Sequence, residues 1–355
     1  MEKYILKNNV NLVEVEDNLA LIYYYGNRYF MECKINKYQL EEVFERLKNP
    51  VSIEELFNYL INVEKDILHS IIRALLNNRL IEIYTETKDE KEISNIGLYN
   101  FFEFFNRENS NNAYINIEKI NKSIITIIDA GNVGIYIAER LITFGFKKVY
   151  YHNKNKVNRN DISEHPNLYN IEDMGKYKVD ILSKKFSDIN FSSDYPTEIE
   201  QDFTIVCGSW FDLDYFKNFN KLFKSLKKIY LPIIEDYFGG TIGPIIGLED
   251  GPCFNCIINR RKSNMKYLNY YEKIEKYYID NRTSLSLGNE LFTRQLSNAA
   301  VVEIIKYITN ILYTDLYHGL YEFDFLNHRN SFHEIFKYID CDICGINSYT
   351  NKVNL

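Results

Sequence analysis

Four cysteines fall in two tight pairs, Cys253-x-x-Cys256 and Cys341-x-x-Cys344, with 84 residues between the pairs. Zinc takes four soft ligands in a tetrahedron, and two thiolates from each turn satisfy it with no position left for water. The spacing therefore predicts a closed, structural Zn2+ site at Cys253, Cys256, Cys341 and Cys344. Two plainer readings compete with it: unrelated turns with buried thiols, and a disulfide pair. The chain opens Met1-Glu2-Lys3 with no apolar signal segment, so a reducing, cytoplasmic setting and free thiols are expected. Cys33 and Cys207 stand singly in apolar, strand-like runs and read as core.

A second place where chemistry is conceivable begins at Ser123, where the pattern runs strand, glycine turn, helix, strand. Residues 124–128 are continuously apolar, Gly131 and Gly134 follow, Ile137, Leu141 and Ile142 mark a helical face, and a further strand starts at Val149. This is a βαβ unit. The dinucleotide fingerprint needs three glycines, yet its first position is Asp129 in Asp129-Ala130-Gly131-Asn132-Val133-Gly134. A carboxylate at the mouth of a helix N-terminus repels the anion that such a turn normally cradles. Elsewhere, Ser163 and His165 lack a nucleophile-elbow motif and a third partner, and His328 and His333 lack metal-ligand spacing to another histidine. Glu172-Asp173 and Glu249-Asp250 read as turn and surface charges. No catalytic residue is assigned.

The elements that must position these groups exceed one core. At 355 residues two domains are expected, and no apolar run approaches the roughly 18 residues of a membrane span. A net charge of −7 gives no general attraction to nucleic acid, and the clusters Arg260-Arg261-Lys262 and Lys224–Lys228 read as solvated faces. Residues 1–86 form one expected domain. Strands are predicted at Asn11–Val15, Leu19–Tyr23 and Arg28–Cys33, with a Gly26-Asn27 hairpin before the third. Helices then start after Asn36 (Gln39 at the capping-box position) and after Ser52 (Glu55 likewise), followed by a third carrying Ile67, Leu68, Ile71, Ile72, Leu75 and Leu76. A strand at Leu80–Tyr84 closes the unit. Residues 87–120 read as a linker whose middle, Leu98, Phe101, Phe102, Phe104 and Phe105, packs on something.

That order of elements resembles the winged-helix recognition element of ribosomal-peptide pathways, similar to the small chaperone of pyrroloquinoline quinone biosynthesis. The resemblance implies a leader peptide adding a strand at Arg28, Tyr29, Phe30, Met31 and Glu32 and resting near Ile72, Arg73 and Leu76. An ordinary winged helix that caps its neighbour stays open beside it. Residues 121–355 resemble the adenylating domain of the ubiquitin-activating (E1) superfamily, including the ThiF-type sulfur-carrier adenylyltransferase. Gly251-Pro252-Cys253-Phe254-Asn255-Cys256 and Cys341-Asp342-Ile343-Cys344-Gly345 match its two knuckles, and Leu285–Ile308 its long helix. The fold class is thus α/β: a Rossmann-like E1/ThiF-type sheet with a four-cysteine zinc knuckle, behind an N-terminal α+β winged-helix domain.

The match lapses where adenylation needs it. The two aspartates of the family's Asp-x-Asp-x-Val segment are Asn153 and Asn155, the expected arginine falls near Glu164-His165, and the later magnesium aspartate falls at Ser209. Lys178 is the lysine retained. In-line attack on a triphosphate needs its charge neutralised, so a degenerate site and no use of ATP are expected. A leader-binding element joined to a degenerate E1-like domain resembles the C proteins, or ocin-ThiF-like proteins, of azole-forming peptide pathways. That likeness implies a non-catalytic scaffold with four partners: the precursor's leader, a YcaO-type cyclodehydratase, a flavin-dependent azoline dehydrogenase, and a second copy of itself. The rivals are an active ATP-dependent adenylating enzyme acting on a peptide, and a winged-helix regulator.

Overall fold

The computed structural model describes residues 2–7, 10–16, 19–24, 27–32, 34–60, 63–84, 98–99, 101–102, 113–194, 202–210, 212–248, 251–281 and 288–345. The expectations at Gly26, Cys33, Phe104 and Phe105 lie outside the described residues. The chain divides into two compact units, Met1–Ala113 and Tyr114–Leu355.

In the first unit the strands are β1 (Lys3–Leu6), β2 (Val10–Glu16), β3 (Leu19–Tyr24), β4 (Asn27–Glu32), β5 (Val51–Ser52) and β6 (Ile81–Tyr84). The helices are α1 (Lys37–Leu47), α2 (Ile53–Tyr59) and α3 (Lys65–Asn77). Two antiparallel sheets form, β2-β3-β4 and β5-β1-β6. The reciprocal caps at Asn36/Gln39 and Ser52/Glu55 are both made, satisfying backbone donors that a helix start leaves unpaired. Leu40, Val43, Phe44 and Leu47 on α1 and Leu68, Ile71, Ile72 and Leu75 on α3 enter one core with Ala20, Ile22 and Tyr24 of β3. Strand β1 is an element that the sequence pattern does not announce; it holds the second sheet together by pairing with both β5 and β6. Leu98 and Phe102 are buried.

The second unit begins with helix α4 (Ala113–Lys122) and is built on an eight-stranded mixed sheet. In chain order its elements are β7 (Ile124–Asp129), α5 (Val133–Thr143), β8 (Lys148–His152), α6 (Arg159–Glu164), α7 (Lys178–Leu182), β9 (Asn190–Ser192), β10 (Phe203–Ser209) and α8 (Leu213–Leu226). After these come β11 (Leu231–Asp236), β12 (Gly239–Ile242), α9 (Phe254–Ser263), α10 (Leu268–Asn281), α11 (Glu290–Thr309), β13 (Gly319–Asp324) and β14 (Arg329–Glu334). The strand order is β14-β13-β12-β11-β10-β7-β8-β9. Strands β11 to β9 pair in parallel, and β12, β13 and β14 add antiparallel. Every residue of β10 is buried, as are the last five of β7, which is what continuous apolar runs give when both faces of a parallel sheet are covered.

Helix α11 starts at Glu290, capped by Asn289, rather than at Leu285; residues 285–287 lie outside the described ones. It packs on α5 and on β11 and β12. None of the described helices is long and apolar enough to cross a membrane.

Candidate functional site

From β7 the chain winds to β8 and β9 on one side, and from β10 to β11 on the other, so the strand order reverses between β7 and β10. Crevices at such a reversal, beyond the carboxyl ends of the strands, are where open α/β sheets bind ligands. Asp129, Asn153, Ser209 and Glu235 all stand at or just past those ends.

Asp129 fills the glycine turn with its own carboxylate. Its Oδ1 accepts the Gly131 N–H at 2.8 Å, and its Oδ2 accepts the Gly134 N–H and the Tyr151 hydroxyl, each at 3.0 Å. Gly134 is required by space, since a Cβ there would lie 2.8 Å from both Ile127 Cγ2 and Asp129 Oδ2. Burial raises the Asp129 pKa to about 6 against the opposing pull of the Gly131 amide, Lys178, Tyr151 and the Gly134 amide. At neutral pH an anion of the chain itself sits on the amides that a phosphate would need.

The two asparagines brace the same turn. Asn153 Nδ2 donates to the Gly131 carbonyl (3.2 Å) and to the Tyr151 oxygen (3.1 Å), and its Oδ1 accepts the Asn155 N–H (2.8 Å). Asn155 Nδ2 donates to the Ala130 carbonyl at 2.6 Å. Lys178 is buried as well. Its ammonium donates to Asp161 Oδ1 (2.6 Å), Asn132 Oδ1 (3.2 Å) and the Gly131 carbonyl (3.3 Å). An ammonium has three N–H bonds, and these three oxygens use them. The Asp161 counter-ion is 0% exposed and also accepts from Asn132 Nδ2 at 2.8 Å. His165 is buried against the Tyr136 hydroxyl (3.2 Å), and burial, with Lys178 nearby, lowers its pKa to about 4, so it is neutral. At Ser209 both the N–H and the hydroxyl donate to Asp212 Oδ2 at 2.8 Å, and burial pushes the Asp212 carboxyl up.

Sequence reasoning missed Asp161, Asp212 and Glu235. Asn158-x-x-Asp161 carries a visible signal, because it forms a capping box at α6. Glu235 carries none. Its Oε1 faces Thr293 Oγ1, which also lies 3.0 Å from the Asn289 carbonyl. The threonine hydroxyl donates to the Glu235 carboxyl oxygen, a contact that favours the ionised form. Burial raises the Glu235 pKa to about 7, with Asp129 adding to it and the Thr293 contact opposing.

A carboxyl that keeps its proton in the fold favours folding at low pH. That contribution is full below about 4.5, the group's ordinary value, and is lost as pH rises through about 7. Glu235→Gln should therefore overtake the parent as pH rises from 4.5 to 8, by on the order of 3 kcal/mol at about 1.4 kcal/mol per pH unit. Paired urea titrations at the two pH values measure this difference, in which the other titrating groups cancel. A parent-minus-variant difference independent of pH would contradict it.

The metal-binding expectation rests on a separate cluster. Cys253 is the N-cap of α9 and Cys256 lies in its first turn, while Cys341 and Cys344 follow β14. The four sulfurs lie within 4.8 Å of one another, with pairs at 3.9 Å (Cys253–Cys256), 3.6 Å (Cys253–Cys341) and 3.3 Å (Cys256–Cys344). Zn–S bonds of about 2.3 Å in a tetrahedron place sulfurs roughly 3.8 Å apart, so the donor set and its spacing fit zinc. The second turn is fastened to the first: Asn255 Nδ2 donates to Asp342 Oδ1 (3.1 Å), Arg260 Nε to the Phe336 carbonyl (3.1 Å), and the Tyr338 N–H to Cys256 Sγ (3.3 Å). Hydrogen bonds from the Cys253 and Cys344 thiols hold the Cys256 thiol well below its ordinary value. Among the described residues this is the one group of three or more histidine, cysteine or acidic side chains arranged to hold a metal ion. Cys207 is free and fully buried in β10.

In the first unit β4 is an edge strand of its sheet. Phe30 is 66% exposed, Arg28, Glu32 and Arg73 are exposed, and Tyr29 and Leu76 are half-buried. Two of the expected leader contacts need correcting. Met31 and Ile72 point into the core, where they support the strand and helix instead of facing a ligand.

No protein-family model matches the sequence, and no curated protein does. Solved structures do match the fold. A crystal structure of MccB from E. coli with MccA-N7isoASN aligns with a TM-score of 0.65 at 15% identity, covering 97% of this chain and 99% of that one. The same protein with ATP aligns at 0.64 and 15% identity, covering 96% and 99%. PaaA aligns at 0.65 and 14% identity, covering 94% and 100%. At this identity the likeness is one of fold: a mixed α/β, E1/ThiF-like architecture.

Proposed function

We propose that this chain binds a ribosomally made precursor peptide and serves the enzyme that modifies it, without activating the peptide through ATP itself. What supports a peptide ligand is the fold shared with MccB, which has been solved with MccA and with N-formylated MccA as a microcin C7 biosynthetic enzyme. The observation that carries the non-adenylating part is the Asp129 carboxylate on the Gly131 and Gly134 amides, with every N–H of Lys178 already committed. The finer reading is that of a C protein of an azole-forming pathway. The first unit acts as a winged-helix recognition element, and the second as a degenerate E1-like platform that docks a YcaO-type cyclodehydratase, a flavin-dependent dehydrogenase and a second copy. A tethered core peptide then meets its cyclase at an effective concentration that reaches the millimolar range.

The comparisons fit a second reading better than the scaffold: an ATP-dependent, E1-like enzyme acting on a peptide. MccB has been solved with ATP, and with AMPCPP together with MccA, in this same architecture. The purified chain, incubated with its precursor peptide, ATP and magnesium, decides between them. The scaffold releases no pyrophosphate above background; peptide-dependent release by the chain alone establishes the enzyme.

Peptide capture itself has a sharp test at β4. Phe30→Pro removes a backbone donor from an edge strand, where proline is tolerated without loss of the fold. Leader affinity should fall tenfold or more by fluorescence polarisation, with an unchanged circular dichroism spectrum. Equal affinity would remove β4 as the docking edge.

A further inference from the structure

Strand β4 is an open edge, and its outward pattern is symmetric about one residue. Tyr24 and Asn27 pair across a two-residue connection, so that pair exchanges its backbone bonds between β3 and β4. Alternation then turns the N–H and C=O of Arg28, Phe30 and Glu32 to the open side. The same three side chains stand on the outer face, opposite Tyr23, Leu21 and Leu19 of β3. Phe30 is 66% exposed, Tyr23 44% and Leu19 42%. An arginine and a glutamate therefore flank an exposed phenylalanine, each two residues from it.

Neither charge is compensated. Among the described residues the Arg28 and Glu32 side chains make no ion pair and no hydrogen bond, and both are exposed. Charges of one sign along an edge blunt it, because they repel a second copy of the same strand. Opposite charges equidistant from a centre have the reverse effect on a copy that runs antiparallel. With Phe30 of one copy opposite Phe30 of the other, Arg28 faces Glu32 of the second copy and Glu32 faces its Arg28. A two-fold axis through an edge-to-edge antiparallel pair requires facing residues to share one side of the sheet, and 28, 30 and 32 do. These are also the residues whose backbone groups point outward, so each facing pair can exchange both ladder bonds. The opposite edge of this sheet is different. Strand β2 has a register irregularity between Leu12 and Glu14, which interrupts an edge, whereas β4 pairs with β3 in unbroken register.

We propose that β4 is an interface between two copies of this chain, which joins their two three-stranded sheets edge to edge into one. The contact consists of two charge pairs and one aromatic pair on a short ladder, so the association is weak and depends on concentration. It does not rest on the peptide reading, although a peptide strand added at β4 would have to displace the second copy.

Sedimentation velocity of the full-length chain over a range of concentrations tests this, using the parent, Arg28→Glu, Glu32→Arg and an equimolar mixture of the two variants. Either variant alone places like charges opposite each other twice, so its self-association should weaken tenfold or more. In the mixture, a pair made of one of each has opposite charges at both contacts, and association should return to that of the parent. Both positions are exposed, and recovery in the mixture also shows that both variants are folded. Three results would overturn the proposal: association equally strong in every sample, as when the copies meet through the second unit alone; a mixture no tighter than the separate variants; and a parent chain that stays monomeric at every concentration.

Discussion

Lys178→Met is expected to lower the stability of the second unit by about 3–5 kcal/mol, the usual cost of removing one member of a buried ion pair. The side chains of Lys178 and Asp161 are 1% and 0% exposed, and they meet at 2.6 Å. Taking away the ammonium leaves Asp161 charged in a site that water does not reach, and it also removes a positive charge that helps to keep Asp129 ionised. Trp210 is the chain's single tryptophan and lies buried in this unit, so its fluorescence during urea unfolding reports the right event. Lys178→Met/Asp161→Leu should cost clearly less than the sum of the single changes, because the double variant leaves no unpaired charge. The opposite pattern is equally readable. If Lys178 served as a phosphate ligand, Lys178→Met would reduce nucleotide affinity while costing under 1 kcal/mol of stability.

This test bears on the central question of function because the cradle is closed by long-range contacts that the sequence does not display. Asn153 and Asn155 after the second strand and Asp129 at the head of the glycine turn could be picked out from the sequence, since each occupies a fixed place in a local motif. The partner of Lys178 was not. Asp161 stands at the third position of a short helix, where an acidic residue needs no explanation beyond capping, and its contact with Lys178 spans 17 residues of chain. Glu235 looks like the polar end of an apolar run, beside the exposed Asp236, until α11 brings Thr293 to it across 58 residues.

In the first unit the caps and the helix faces were readable because they depend on residues three or four apart. Lys3-Tyr4-Ile5-Leu6 gave no strand signal, being short, with its pairing partners 47 and more residues downstream. Periodicity also found an apolar face on α3 without saying which of its members form the core. Ile72 went inward and Leu76 to the margin, and that choice belongs to the sheet behind them. The cysteine cluster was the most legible feature, because spacing within each turn is local and the expectation of a shared four-thiol site brings the two turns together.

Chelation should have the largest effect on the segment after β14. Residues 335–345 form no helix or strand, and they are tied to α9 by the Asn255–Asp342 and Arg260–Phe336 hydrogen bonds and by the thiol cluster. Without a cation the four sulfurs cannot all ionise at such close range, so a bound zinc replaces repulsion between thiolates with four coordinate bonds. Cys256→Ser removes the cysteine that touches both the first turn and Cys344. It should abolish the one equivalent of zinc expected in the parent chain and cost at least about 3 kcal/mol, measured by metal analysis and urea unfolding. The loss should be local. Hydrogen exchange is expected to rise in 335–345 and the start of α9, while β7 and β10, buried within the sheet, keep their protection. A metal-free Cys256→Ser chain with unaltered stability and exchange would mean that the four thiols merely share a turn of the fold and that the clasp is not a metal site at all.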